Sequence, residues 1–96
     1  MKQSYVYILK CADSTYYTGV TSNLPQRMFR HETGYYTDCY TFKRRPLELV
    51  FYSEFTDINL AIEKEKQIKK WSKSKKEALI NGDYDALANL AKKKFS

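Results

Sequence analysis

Two basic residues on one helix face are the first sign of the chemistry that this sequence could perform. The segment LPQRMFRH, residues 24 to 31, contains Arg27 and the chain's single histidine, His31, four residues apart. At about 100° per residue, a helix places both on the face of Leu24 and Met28. Arg27 and His31 are therefore expected beside the apolar core, where a guanidinium can bind a phosphate oxygen and an imidazole can transfer a proton near neutral pH.

A carboxylate interrupts the apolar face of a second predicted helix. The stripe around Glu65 is made by Ile58, Ala61, Ile62 and Ile68. An unpaired carboxylate is costly to remove from water, so a cation must compensate Glu65. In one interpretation, Glu65 forms a salt bridge with Arg27, and His31 is a hydrogen-bonded core residue. In the other, two helices form an active site in which Glu65 binds a divalent cation. The residues alone leave both interpretations open.

Tyrosines supply a third group of candidate side chains. Tyr5 and Tyr7 alternate along a predicted strand and share a face, and Tyr17 directly precedes Thr18 and Gly19. Such a stripe is compatible with simple packing. A phenol has an ordinary pKa of about 10, so a tyrosine acts as a base only where Arg27 or a metal ion lowers that pKa.

The elements that must position these residues follow from periodicity and from turn residues. SYVYILKC and YYTGVT predict two strands, and LELVFYSEF, after Pro46, predicts a third. A first helix is predicted over 24–32, with Ser22 or Asn23 as N-cap and Gly34 past its end. Further helices are predicted over 57–71, 75–81 and 84–94.

The charge distribution indicates a polyanionic partner. The net charge is +6, and residues 43–96 carry thirteen Lys and Arg against eight Asp and Glu. Nucleic acid is therefore the expected partner, although a lysine face that only contacts solvent is the alternative. The candidate phosphate-binding residues are Lys43, Arg44, Arg45, Lys66, Lys69, Lys70 and Lys73.

Other classes of protein fit the sequence poorly. The longest apolar run, Tyr5–Leu9, has five residues, far short of the roughly 20 that span a bilayer, so no membrane partner is expected. Cys11 and Cys39 form neither a CxxC motif nor a zinc-site pattern. A cytoplasmic location is expected.

Four segments together resemble a known family. YVY at 5–7, YTG at 17–19, NLPQRMFRH at 23–31 and AIEKEKQIKKWSKSKKEALI at 61–80 resemble, in order and spacing, the GIY-YIG nuclease superfamily, most closely its small single-domain bacterial members. The first motif departs from the pattern, since Tyr5 stands in place of glycine. The resemblance implies an α+β fold with a small three-stranded, mainly antiparallel sheet flanked by helices. It assigns residues 1–82 to a nuclease-like domain and leaves 83–96 as its helical extension.

The resemblance also implies functional residues. The catalytic set is Tyr7, Tyr17, Arg27, His31 and Glu65. Gly19 and Asn23 complete the structural motif, and Glu65 is the expected ligand of one Mg²⁺ or Mn²⁺ ion. Tyr7 or His31 would take a proton from water, and Arg27 and Tyr17 would hold the phosphate.

The expected function is that of a divalent-metal-dependent endonuclease acting on DNA in repair or recombination. Structure-selective or weakly sequence-specific cleavage fits the small size, as does a protein partner for targeting, and RNA is not excluded as a substrate. One alternative is a non-catalytic nucleic-acid-binding module of the same fold. Another is a protein-interaction domain that uses the aromatic loop 35–42.

Overall fold

A three-stranded antiparallel sheet forms the centre of the computed structural model, which describes residues 3–37, 39–83 and 85. The strands are β1 (Ser4–Lys10), β2 (Tyr16–Thr21) and β3 (Glu48–Phe55), in the spatial order β2-β1-β3. The helices are α1 (Leu24–Thr33), α2 (Ile58–Lys69) and α3 (Lys73–Ile80), and a 3₁₀ turn spans Phe42–Arg44. The predicted α+β architecture is thus confirmed, and both strand pairs are antiparallel.

The central strand, β1, is buried on both faces because helices cover each side of the sheet. On one face, Tyr7 and Leu9 pack with Leu24 and Met28 of α1. On the other face, Val6 and Ile8 pack in a cluster that includes Ala61 and Ile68 of α2. Since successive side chains of a strand point to opposite faces, β1 supplies the core of both layers. The two helices that carry the candidate site residues therefore lie on opposite faces of the sheet.

Each helix begins at a side-chain cap. The side-chain oxygens of Asn23, Asp57 and Ser72 accept hydrogen bonds from backbone N–H groups in the first turn of α1, α2 and α3, respectively. Because Ser72 is a cap, α3 begins at Lys73, two residues before the predicted start. Gly34 ends α1 in the left-handed conformation, with φ of 76°.

The predicted apolar stripe of α2 is wrong at one position. Ala61 and Ile68 are buried as expected, but the side chain of Ile58 is 46% exposed. Ile58 is the first residue of α2, so the buried stripe starts one turn later, at Ala61. The helix predicted over 84–94 lies outside the described residues. Within the described ranges, no helix is long and apolar enough to cross a membrane.

Candidate active site

The face of the sheet beneath α1 brings together a buried tyrosine and the single histidine. Asn23 accepts a hydrogen bond from the backbone N–H of Gln26, which sets where α1 begins. In this register His31 points inward and is 2% exposed, whereas Phe29 is 67% exposed. The Tyr7 hydroxyl lies 3.0 Å from Nε2 of His31, and the side chain of Tyr7 is also buried.

Gly19 allows Tyr7 to occupy this position. In the register of β1 and β2, Tyr7 lies opposite Gly19, and the phenol ring crosses directly over the glycine. A Cβ at residue 19 would lie 2.5 Å from Cζ and 2.9 Å from Cε1 of Tyr7, and would also collide with the hydroxyl. The glycine of the Tyr-Thr-Gly segment is therefore required by the close approach of the Tyr7 ring rather than by an unusual backbone angle.

An open pocket lies above the Tyr7–His31 pair. Its volume is about 360 Å³, and Tyr17, Arg27, His31 and Tyr36 are among its lining residues. The Tyr17 ring centroid lies 5.4 Å from that of His31, and the Arg27 guanidinium lies 5.3 Å from the centroid of Tyr36. Tyr7 lies beneath the lining, 6.4 Å from Tyr17 between ring centroids. The pocket is thus lined by a guanidinium and a phenol, and both groups are able to donate hydrogen bonds to anions.

Burial determines the protonation states in this cluster. The pKa of His31 is lowered from 6.5 to about 4, first by burial and then by the positive charge of Arg27. Burial also raises the pKa of Tyr7 far above its ordinary value, although nearby Arg27 opposes this shift. The pKa of Tyr17 is raised to about 12, again mainly by burial. At neutral pH, therefore, His31 is neutral and both phenols keep their protons.

The lowered pKa of His31 predicts that the protein loses stability in mild acid. Between pH 6.5 and about 4 the unfolded chain binds a proton at His31 that the folded chain does not. The free energy of unfolding should therefore be at its full value above pH 6.5 and fall as the pH falls, by up to about 3 kcal/mol in total. Urea unfolding of wild type and His31→Gln between pH 7.5 and 4.5 measures the effect. The variant should show the shallower pH dependence, and equal slopes would contradict the prediction.

Glu65 lies on the opposite face of the sheet, and its ionic partner is a lysine of its own helix. The carboxylate is largely buried, and its Oε1 lies 2.6 Å from Nζ of Lys69, one turn later on α2. A Glu65–Arg27 salt bridge is therefore wrong, because α1 and α2 cover different faces of the sheet. The Glu65 charge nevertheless reaches Tyr17, on the edge strand β2, and contributes to its raised pKa.

The residues around Glu65 are compatible with a divalent cation that Glu65 and the substrate phosphates would hold together. In the described part of the chain, no group of three or more His, Cys, Asp or Glu side chains could hold a metal ion. Mg²⁺ commonly uses one or two carboxylates, several waters and substrate phosphates, so a single buried carboxylate is compatible with it. The Lys69 ammonium already occupies a cation position at Glu65 and is 53% exposed, so it is able to move into solvent.

The candidate phosphate-binding residues differ in the contacts that their side chains already make within the protein. Lys43, Lys66, Lys70 and Lys73 are exposed. Arg44 instead forms a salt bridge with Asp13 at 3.0 Å and stacks over the Tyr40 ring. Arg45 donates hydrogen bonds to the carbonyls of Phe42 and Glu32. The two arginines therefore stabilise the connection between α1 and β3, in addition to any role in binding.

Three site residues were not identified from the sequence. Thr41, which is 1% exposed, places its hydroxyl 3.0 Å from Nδ1 of His31. Cys39 and Tyr36 line the pocket. All three lie in the connection after α1, where no periodicity indicates which side chains point inward. Their aromatic and hydroxyl-rich composition is the one signal that could have found them.

The chain is similar over most of its length to proteins that share this arrangement of elements. The sequence model of the family described as the GIY-YIG catalytic domain matches residues 3–78. A UPF0213 protein of Syntrophus aciditrophicus is 42% identical over 80 residues, which cover 83% of this chain and 92% of that one. A UPF0213 protein of Natronomonas pharaonis is 43% identical over 76 residues, covering 79% and 88%.

Solved structures give the same result. The solution NMR structure of a UPF0213 protein from Bacillus halodurans has a TM-score of 0.55 and 36% identity, and the match covers 88% of this chain and 92% of that one. An NMR structure of a protein from E. faecalis has a TM-score of 0.61 and 27% identity, with 88% of both chains covered. Together with the sheet and pocket described above, these matches show that the chain belongs to the GIY-YIG catalytic domain family.

Proposed function

We propose that the protein is an endonuclease that hydrolyses phosphodiester bonds in DNA with the help of a divalent cation held by Glu65. The family suggests a nuclease-type activity. The observation that carries the proposal for this chain is the hydrogen bond between Tyr7 and His31 beneath a pocket lined by Arg27 and Tyr17. That arrangement combines a proton-transfer pair with donors for a phosphate group.

Arg27 and Tyr17 bind the scissile phosphate in this proposal. The guanidinium offers a planar fork of donors that matches two phosphate oxygens. The Tyr17 hydroxyl keeps its proton up to a pKa of about 12 and donates one further hydrogen bond. Both groups stabilise the negative charge that develops on phosphorus oxygens in the transition state.

Tyr7 and His31 transfer the proton of the attacking water. The phenol oxygen takes a proton from water while its own proton passes to Nε2 of His31, 3.0 Å away. The water oxygen forms its bond to phosphorus, the bond from phosphorus to the 3′ oxygen breaks, and the leaving 3′ oxygen takes a proton from solvent. The high pKa of Tyr7 opposes a free tyrosinate, so transfer in one step through the neutral phenol is the arrangement that the site favours.

Glu65 would hold the divalent cation, which would neutralise charge on the phosphate and on the leaving oxygen. The carboxylate is buried, close enough to Tyr17 to raise its pKa, and already paired with a cationic group, Lys69. Mg²⁺ and Mn²⁺ both suit an oxygen ligand of this kind. A role in DNA repair or recombination and a cytoplasmic location stay predictions.

Cleavage of labelled duplex, single-stranded and branched DNA, and of RNA, tests the proposal. Wild type with Mg²⁺ or Mn²⁺ should cut at least one substrate, and EDTA should stop the reaction. Tyr7→Phe, prepared in the same way, controls for contaminating nuclease. Salt-dependent DNA binding without cleavage of any substrate would contradict the catalytic role and favour a non-catalytic binding module.

The exposed lysines should contribute to binding through their charge alone. Replacing Lys66, Lys70 and Lys73 by glutamine should weaken DNA binding in EDTA at low salt. The dependence of log K on log salt should become shallower by about 0.9 for each duplex phosphate that the variant no longer neutralises. Fluorescence anisotropy over a series of salt concentrations measures the slope. An unchanged slope would show that Lys66, Lys70 and Lys73 do not neutralise DNA phosphates.

A further inference from the structure

Thr41 lies behind His31 and has no role in the proton transfer proposed above. It lies in the connection between α1 and β3 and is 1% exposed. Its Oγ1 is 3.0 Å from Nδ1 of His31, on the side of the ring away from Tyr7. Both ring nitrogens of His31 are therefore hydrogen-bonded inside the protein, one to Tyr7 and the other to Thr41.

The direction of the Tyr7–His31 hydrogen bond follows from the donors that surround it. The Tyr7 hydroxyl is fully buried, so its proton requires an acceptor within the protein. The nearby Arg27 guanidinium has donors but no acceptor. Nε2 of His31 is therefore the group that accepts the proton of Tyr7.

The proton of neutral His31 must lie on Nδ1. A neutral imidazole carries one proton, and Nε2 already accepts from Tyr7. Nδ1 then donates to Thr41 Oγ1, and the Thr41 hydroxyl is free to donate to Sγ of Cys39 at 3.4 Å. The hydrogen bonds run in one direction from Tyr7 through His31 and Thr41 to Cys39.

We propose that Thr41 is a positioning residue that holds His31 in the Nδ1–H tautomer, so that Nε2 is ready to accept the proton of Tyr7. The catalytic consequence rests on the proposed nuclease function, whereas the tautomer does not. During the reaction the proton from water goes to Tyr7 and the Tyr7 proton goes to Nε2. His31 becomes an imidazolium whose Nδ1–H stays bonded to Thr41, and it returns its proton to solvent after product release.

The tautomer can be measured directly because the chain has a single histidine. Long-range ¹H–¹⁵N spectra of uniformly ¹⁵N-labelled protein at pH 7 should show a protonated Nδ1 and an unprotonated Nε2. In Thr41→Val, each tautomer leaves one buried donor without an acceptor, Nδ1–H of His31 in one form and the Tyr7 hydroxyl in the other. The Nε2–H form should therefore become populated, and the chemical shifts of both ring nitrogens should move. Thr41→Ser retains the hydroxyl and should restore the wild-type shifts. An Nε2–H tautomer in wild type, or unchanged shifts in Thr41→Val, would overturn the assignment.

Cleavage kinetics test the catalytic consequence. Thr41→Val should lower kcat by about 10- to 100-fold with little change in KM, since a positioned proton acceptor typically supplies about 10²- to 10⁴-fold in rate. Thr41→Ser should restore most of that activity. A shifted tautomer with unchanged kcat would overturn the positioning role. Absence of cleavage by wild type on every substrate would instead refute the nuclease function, and the NMR result would still decide the tautomer.

Discussion

Replacing Glu65 by glutamine is expected to abolish cleavage, with the rate falling by about 10³-fold or more. The amide has the shape of the carboxylate but not its charge, so it binds a divalent cation poorly. Losing the charge that such an ion places at the phosphate and leaving oxygen removes several kcal/mol of transition-state stabilisation. DNA binding in EDTA should persist or tighten, because a negative charge is removed from an anion-binding region.

The fold should tolerate this change. The Glu65 side chain is 10% exposed, but its partner Lys69 is 53% exposed and can be solvated when the carboxylate is gone. No buried cation is left without a partner, so the free energy of unfolding should change by about 1 kcal/mol or less. Loss of activity without loss of stability would separate a catalytic role from a structural one.

Glu63→Gln is the matched control. Glu63 lies on the same helix and is exposed, so its replacement changes the net charge equally without reaching the buried stripe. Its cleavage rate should stay within a few-fold of wild type. Mn²⁺ binding, followed by electron paramagnetic resonance in the presence of DNA, should weaken in Glu65→Gln and not in Glu63→Gln. Cleavage by Glu65→Gln at a rate near that of wild type would remove Glu65 from the metal site.

Replacing Gly19 by alanine is expected to have the second largest effect, on activity and on stability together. The new Cβ would meet Cζ of Tyr7 at 2.5 Å, so the phenol must move from its place over β2. Overpacking of this kind typically costs about 1 to 3 kcal/mol. Because the Tyr7 hydroxyl would move away from His31, which it meets at 3.0 Å, cleavage should fall by about 10²-fold.

A double-mutant cycle tests whether the collision with Tyr7 causes the expected effects of Gly19→Ala. In a Tyr7→Leu background the ring and hydroxyl that collide with the new Cβ are absent, so adding Gly19→Ala should destabilise the protein less than it destabilises wild type. Activity should not fall further, because the hydroxyl is already gone. Thermal and urea unfolding give the stabilities of the four proteins in the cycle. Strictly additive effects would mean that Gly19 and Tyr7 act independently, contrary to their contact in the structure.

Much of the α1 side of the site could be predicted from the sequence. The helical period placed Arg27 and His31 with Leu24 and away from Phe29, and the structure has His31 buried and Phe29 exposed. The N-cap was predicted at Ser22 or Asn23 and the helix stop at Gly34, and the structure has Asn23 as the cap and Gly34 at the end, since both features depend on short-range hydrogen bonds and backbone conformation. The period of β1 likewise placed Tyr7 with Tyr5 on one face.

The partners of the charged and polar groups could not be predicted in the same way. The burial of Glu65 was evident from its neighbours on α2, but its salt bridge to Lys69 rather than to Arg27 depends on which face of the sheet each helix covers. The hydrogen bond from His31 to Thr41 depends on the path of a connection without regular periodicity. The Glu65–Lys69 pair has the i, i+4 spacing of a helical ion pair, which the sequence does contain, whereas the His31–Thr41 contact leaves no repeating pattern in the chain.

The sequence by itself determined the elements, their inward faces and the family, because these follow from the spacing of residues within one helix or strand and from the order of its motifs. Only the tertiary structure decided that Tyr7 lies over Gly19, that Thr41 stands behind His31 and that Glu65 lies on the far side of the sheet, where it pairs with Lys69. Strand register and the packing of helices on opposite faces join residues that are far apart in the chain. Those contacts set the proton positions and charges on which the proposed chemistry depends.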